Sequence, residues 1–115
     1  MAEAGPFYEA LLPALGFTRR VAIDGWLQFE AIEPDDTAEF FGITEAAEHR
    51  PNACRIAFWA AGTAEVDRLA EIATRAGALR IEGPGYDEGP DYYAVFFEDP
   101  SGNPLEICYR SIAPT

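Results

Sequence analysis

The stretch that decides the fold is Phe96-Phe97-Glu98-Asp99-Pro100-Ser101-Gly102-Asn103-Pro104-Leu105-Glu106-Ile107. It predicts a strand, a tight turn and a second strand. The turn starts at Asp99-Pro100, where the proline ring presets φ. Gly102-Asn103 then supplies two residues that tolerate a positive φ. The second strand carries Glu106 among apolar neighbours.

The acidic residue in that second strand raises the functional question. Because side chains alternate along a strand, we expect Leu105 and Ile107 on one face and Glu106 and Cys108 on the other. A carboxylate at the centre of an apolar strand must be solvated, paired, protonated or bound to a cation. We therefore look for a partner of Glu106 in the rest of the sequence.

Composition bounds the class of protein. The chain has 115 residues, 49% of them apolar, and a net charge of −12, which fits one folded domain with an ordinary core. The acidic surface argues against nucleic-acid and membrane-surface partners and is compatible with a cationic ligand. No apolar run reaches the about 20 residues of a membrane span, and the N-terminus lacks a secretory signal. We expect a cytoplasmic protein in which Cys54 and Cys108, both on predicted strands, are buried thiols.

Periodicity and turn residues predict the elements. A helix is expected over Pro6–Leu15, with Pro13 distorting its last turn, and a second over Thr63–Ala76 with Thr63 as its N-cap. A polar linker that contains His49 spans 45–52, and a glycine-rich loop spans 83–91. Strands are expected over 18–23, 26–32, 38–44, 54–60, 78–82, 92–98 and 104–109, with turns at 24–25 and 33–37.

The two halves of the chain repeat the same order of elements. Gly16-Phe17-Thr18-Arg19 aligns with Gly77-Ala78-Leu79-Arg80, 61 positions later, so each half is a helix, a glycine cap and three strands. Only the second half opens with an additional strand. The sequence thus predicts one α+β domain of two βαβββ-type modules, about 1–48 and about 53–112, with the first lacking its leading strand. Whether the gene starts upstream of Met1 stays open, and an unpaired sheet edge favours pairing with another chain.

This βαβββ repeat, ending in Asp-Pro-x-Gly-Asn-x-Leu-Glu, resembles the vicinal oxygen chelate superfamily of glyoxalases, extradiol dioxygenases, fosfomycin-resistance and bleomycin-resistance proteins. The resemblance is carried by the segments 7–17, 55–58, 66–77 and 99–106. It implies two modules that curl around a cleft. In metal-dependent relatives this cleft holds a divalent metal on a His from the first strand of each module and a Glu from the last strand of the second.

Only one of these three ligands has a counterpart here. Glu106 matches the family's glutamate, Arg55 occupies the histidine position of the second module, and the first module lacks the strand that would carry the other histidine. A catalytic divalent metal needs about three protein ligands, and a guanidinium offers no lone pair. Because the sequence departs from the family's ligand set, we expect no cofactor, with Glu106 as a relic of a metal site. Glu45, 61 positions before Glu106, is a candidate counterpart.

Three hypotheses remain for Glu106 and Arg55. They form an ion pair where the metal would sit, or Arg55 binds an anionic group of a ligand, or a metal is held with ligands that the sequence does not reveal. Trp59 alternates onto the face of Arg55, and Tyr86 in the glycine-rich loop is a candidate lid residue. No nucleophile and base stand at a meaningful spacing, so no catalytic residue is assigned.

Two classes of function follow. The first is a small-molecule-binding protein similar to bleomycin-resistance proteins, with Arg55, Trp59, Glu106 and Tyr86 around a ligand that is cationic or held by Arg55. The second is a metal-dependent enzyme, a glyoxalase-like lyase or a dioxygenase, with Glu106 as the surviving ligand. A homodimer is expected in either case, since the resemblance implies one and an open sheet edge favours it.

Overall fold

The computed structural model describes residues 3–32, 38–46, 48–87 and 89–110. Its elements follow the predicted order of helices and strands. They are α1 (Ala4–Leu11), a 3₁₀ turn (Pro13–Leu15), β1 (Arg19–Ile23), β2 (Trp26–Ile32), β3 (Ala38–Thr44), β4 (Ile56–Trp59), α2 (Thr63–Ala76), β5 (Leu79–Tyr86), β6 (Tyr92–Glu98) and β7 (Pro104–Arg110). The turn predicted at 33–37 lies outside the described residues.

The strands form two sheets. One has the order β1-β2-β3 with antiparallel neighbours, and the other has the order β4-β7-β6-β5, in which β4 runs parallel to β7. The second half is therefore a complete βαβββ module. In the part of the chain that the structure describes, the first half has the helix and three strands without a leading strand. The predicted α+β fold is confirmed.

Prolines and glycines decide where the first helical segment ends. The single predicted helix is in fact two pieces, because Pro13 has no N–H to continue the α-helical hydrogen bonds and the chain tightens into a 3₁₀ turn. Gly16 then ends this turn at φ 99°, a left-handed conformation that glycine adopts without steric cost. The predicted distortion at Pro13 is confirmed, whereas the helix starts two residues earlier than expected.

The second helix is amphipathic, as predicted. Val66, Leu69 and Ala73 are buried on one face, and Gly77 caps the C-terminus in a left-handed conformation. The predicted cap at the other end is wrong. Gly62 occupies the N-cap position and no side chain caps the helix, while Thr63 is its first residue.

Strand β5 is longer than the sequence predicts. It continues through Gly83 and Pro84 to Tyr86, so residues 83–86 belong to a strand and not to the predicted loop. A cis peptide bond joins Gly83 and Pro84. Two register shifts against β6 accommodate this stretch. Such bulges allow glycine and proline into a strand where a regular ladder would exclude them.

The core lies between the helices and one face of each sheet. Phe7, Leu11 and Leu12 of the first helical segment are fully buried, as is Phe29 of β2. The second module contributes buried apolar side chains to the same cluster: Phe58, Val66, Leu69, Val95, Phe97, Leu105 and Ile107. The two modules thus share one hydrophobic core.

The β2–β3 hairpin corresponds to the β6–β7 hairpin, but the offset in sequence differs from the 61 positions that separate the two glycine caps. Strand β2 pairs with β3 over seven residues, and β6 pairs with β7 over seven residues that begin 66 positions later. The offset of 61 holds only up to the glycine caps, because β5 and the turn after it add residues to the second module. As a result Phe40, and not Glu45, is the counterpart of Glu106.

Candidate functional site

One face of the second sheet carries Glu106 and its neighbours. The strand registers place Ala57, Glu106 and Phe96 in one row, and Trp59, Cys108 and Ala94 in the next row. Leu105 and Ile107 point to the opposite face and are completely buried in the core. The predicted alternation along this strand is confirmed.

Glu106 is one of two buried acidic side chains among the described residues, with 7% of its surface exposed. Its neighbour along the strand, Cys108, is also buried. Burial raises the pKa of the Cys108 thiol, and the charge of Glu106 together with a hydrogen bond to it raises this pKa further. The Cys108 thiol is therefore kept protonated beside the carboxylate.

Arg55 reaches onto the same face. It immediately precedes β4, and its guanidinium carbon lies 4.7 Å from the centroid of the Phe96 ring on β6. Strand β7 lies between β4 and β6. To reach Phe96, the side chain of Arg55 must therefore cross β7 on the face that carries Glu106. A guanidinium over an aromatic ring is held by a cation–π contact and keeps its hydrogen-bond donors at its edge.

The two aromatic candidates lie on different faces. Trp59 shares the face of Glu106, because it pairs with Cys108, and 61% of its surface is exposed. Tyr86 pairs with Tyr93, packs edge-on against it at 4.9 Å, and so lies on the face that carries α2. The structure brings Arg55, Trp59 and Glu106 together and places Tyr86 apart from them.

The thiols differ in exposure. Cys108 is buried, as predicted, whereas Cys54 is exposed. The prediction for Cys54 is wrong because β4 starts only at Ile56, so Cys54 lies in the preceding irregular segment.

The first sheet presents a polar row that sequence reasoning missed. Trp26 Nε1 donates to Gln28 Oε1 at 3.1 Å, and Gln28 Nε2 donates to Glu30 Oε2 at 2.8 Å. Arg19 then forms an ion pair with Glu30 at 3.3 Å. The alternation of Trp26, Gln28 and Glu30 along β2 was the available signal, since residues two apart share a face.

A cavity of about 350 Å³ lies on the other side of β4 from Arg55. Tyr8 and Asp99 line it, with residues from β3 and from the segment before β4. Asp99 is fully buried and accepts four hydrogen bonds, from the backbone of Ser101 and Asn103, the side chain of Asn103, and the hydroxyl of Tyr8. The sequence contained no pattern that predicts this cavity, because its walls come from distant segments.

Within residues 3–32, 38–46, 48–87 and 89–110, no three His, Cys, Asp or Glu side chains converge on a point where they would hold a metal ion. Over the same residues, no helix has both the length and the apolar character needed to cross a bilayer.

Known structures share this fold. A glyoxalase/bleomycin resistance protein from Albidiferax ferrireducens T118 is 26% identical, with a TM-score of 0.73 over 96% of this chain and 90% of that one. A putative glyoxalase from Bacillus halodurans is 27% identical, with a TM-score of 0.68 over 94% and 86% of the two chains. The fosfomycin resistance protein FosX from Mesorhizobium loti is 18% identical, with a TM-score of 0.66 over 96% and 83%, and so shares the fold alone.

No functionally curated protein matches the sequence at a significant level. A family model does match, over residues 1–107. It describes the same fold as the structural neighbours and spans nearly the whole chain. The chain belongs to the Glyoxalase/Bleomycin resistance protein/Dioxygenase superfamily.

Proposed function

We propose that the protein is a small-molecule-binding member of this superfamily whose ligand lies on the sheet face of Arg55, Trp59 and Glu106. Arg55 binds an anionic group of the ligand, and Trp59 stacks against an apolar or planar part of it. The observation that carries the proposal is the position of the Arg55 guanidinium over Phe96, on the sheet face that also carries the exposed Trp59.

The chemistry of these side chains supports an anionic, planar ligand. A guanidinium that rests on an aromatic ring is oriented before the ligand arrives, so less conformational entropy is lost on binding. Its planar fork matches the two oxygens of a carboxylate or phosphonate. Trp59 offers a large exposed aromatic surface on the same face, which is the type of residue that dominates binding energy in many sites.

The enzyme alternative needs a divalent metal, and the described side chains on the face of Glu106 do not fit one. Glu106 contributes a single carboxylate, and the protonated thiol of Cys108 is a poor ligand because thiolate is the form that binds metals. Arg55 brings a permanent positive charge into the same row. This donor set falls short of the about three ligands of a catalytic site, so we derive no metal-dependent step.

Titration with benzoate, followed by isothermal titration calorimetry, tests this proposal. We expect saturable binding that weakens at least tenfold in Arg55→Gln and in Trp59→Ala, while benzamide, which lacks the charge, binds weakly to all forms. Arg75→Gln is the matched control, because Arg75 lies on the exposed face of α2 and pairs there with Glu71. Equal affinity of the native protein and Arg55→Gln for benzoate would overturn the proposal.

A further inference from the structure

We propose that the cavity between β3 and β4 is a second binding site, which takes a small organic cation with an ammonium group. The site is separate from the face of Arg55 and Glu106. Ile56, which lines the cavity, alternates with Arg55 and Ala57 and so points to the other side of β4.

The open edges of two sheets meet at this cavity. Strand β3 is an edge strand of the first sheet and β4 is an edge strand of the second. The backbone N–H of Glu45 donates to the carbonyl of Gly25 across the β2–β3 pair. Because antiparallel strands alternate inward and outward groups, the N–H and C=O groups of Thr44 and Gly42 both point to the open edge. Both residues line the cavity, so these carbonyl oxygens are acceptors for an ammonium group, which has only donors.

The charges around the cavity favour a cation. Among the described residues, its titratable side chains are Tyr8, Glu45, His49, Cys54 and Asp99, two of them carboxylic acids, and none of the eight arginines of the sequence lines it. The sequence contains no lysine. The four donors to Asp99 are neutral groups, so they satisfy its oxygen atoms without adding positive charge to the cavity. The net charge of −12 also attracts cations to the protein at long range.

Size and lining narrow the class of ligand. A volume of about 350 Å³ lies at the lower end of the range for small-molecule sites. Phe41, Ile43 and Ile56 give the cavity an apolar side. A carboxylate or phosphate ligand would meet like charges here without a guanidinium or ammonium to balance it. A short alkyl chain with one ammonium group satisfies both the polar and the apolar walls.

Three probes of equal length test this inference: n-butylammonium, n-butanol and n-butyrate. Backbone amide chemical shifts report where each binds. We expect n-butylammonium to shift the amides of Gly42, Thr44 and Cys54 in a saturable way, with the two other probes at least tenfold weaker. Ile56→Trp fills the apolar side and is expected to abolish the shifts.

Charge variants separate the site from a general attraction. Glu45→Gln is expected to weaken n-butylammonium binding at least fivefold. The control Glu39→Gln makes the same charge change on β3, outside the cavity, and is expected to change binding less than twofold. Arg55→Gln, which removes the anion-binding group proposed above, is expected to leave n-butylammonium binding unchanged, so either proposal can fail alone.

Three results would overturn the inference. In the first, n-butyrate or n-butanol binds as tightly as n-butylammonium. In the second, Glu45→Gln and Glu39→Gln have equal effects. In the third, the amides of Gly42 and Thr44 shift with protein concentration in the absence of any probe, which shows that a strand of a second copy occupies the open edges.

Discussion

The hydroxyl of Tyr8 donates a 2.5 Å hydrogen bond to the buried carboxylate of Asp99, 91 residues later in the chain. Tyr8 belongs to the helix of the first module, and Asp99 begins the turn that identifies the family. The bond therefore fastens the first helix to the turn between β6 and β7. It also explains why Asp99 is buried although its strand ends there.

Tyr8→Phe tests the energetic weight of this bond. Removal of the hydroxyl leaves a buried carboxylate with one donor fewer, which costs about 1.5–3 kcal/mol for a hydrogen bond to a charged group. The free energy of unfolding in urea measures the loss. Tyr86→Phe is the control, because the side chain of Tyr86 is exposed and we expect a change below about 0.5 kcal/mol. Equal stability of the native protein and Tyr8→Phe would show that the bond contributes nothing.

The same tyrosine predicts an alkaline pH dependence. Burial raises the pKa of Tyr8 well above its usual value, and the hydrogen bond and charge of Asp99 raise it further. Since the folded-state pKa is raised, the stabilisation is complete below pH about 10 and is lost as the pH rises and the unfolded state releases its proton.

We therefore expect the free energy of unfolding of the native protein to fall between pH 10 and 11 by about 1 kcal/mol more than that of Tyr8→Phe. Tyr93→Phe is the comparison variant. The pKa of Tyr93 is also raised, by its hydrogen bond to Asp67, but this pair is exposed and solvent screens it. Parallel pH profiles of the native protein and Tyr8→Phe would contradict the prediction.

Gly42 predicts a packing effect on the first sheet. A Cβ at this position would lie 2.3 Å from two atoms of the Trp26 ring. Gly42→Ala therefore forces the ring to move and breaks its hydrogen bond to Gln28, with an expected cost of about 1–3 kcal/mol. Thermal unfolding and the emission maximum of Trp26 report the two effects.

Gly5→Ala adds the same methyl group where no atom lies within 4 Å. Because Gly5 lies inside α1, alanine is expected to stabilise the protein by up to about 1 kcal/mol. The two variants should therefore change the melting temperature in opposite directions. A rise in both would show that Trp26 yields without cost.

The cysteines predict a selective thiol reaction. Cys54 is exposed, whereas Cys108 is buried and its pKa is raised by burial and by Glu106. An aromatic disulfide reagent such as DTNB should modify one thiol per native molecule and two after denaturation. Cys54→Ser is expected to remove the fast reaction and Cys108→Ser to leave it unchanged. The reverse pattern would contradict the burial of Cys108.

Local sequence signals were enough for most of the fold. The bounds of β2, β3 and β6 are those that the sequence predicts, because turn residues flank each of these segments, which are rich in apolar side chains. The continuation of β5 through Gly83 and Pro84 was missed, because only pairing with β6 keeps these residues in a strand. Propensity alone assigns such residues to a loop.

The site was predictable only where one strand carries it. The faces of Glu106 and Trp59 follow from alternation along β7 and β4. By contrast, the contact of Arg55 with Phe96 and the cavity beside Asp99 join segments far apart in the chain. Their positions depend on how the two sheets share a core, which no local pattern encodes.

The central claim is that this family member binds its ligand through side chains and not through a metal. Calorimetric titration of the metal-free protein with Mn²⁺, Ni²⁺ and Zn²⁺ tests it most directly. We expect none of these ions to bind stoichiometrically with a dissociation constant below about 10 μM, because the donors beside Glu106 and Arg55 do not complete a metal site. Tight binding of one ion per chain that Glu106→Gln abolishes would contradict the account.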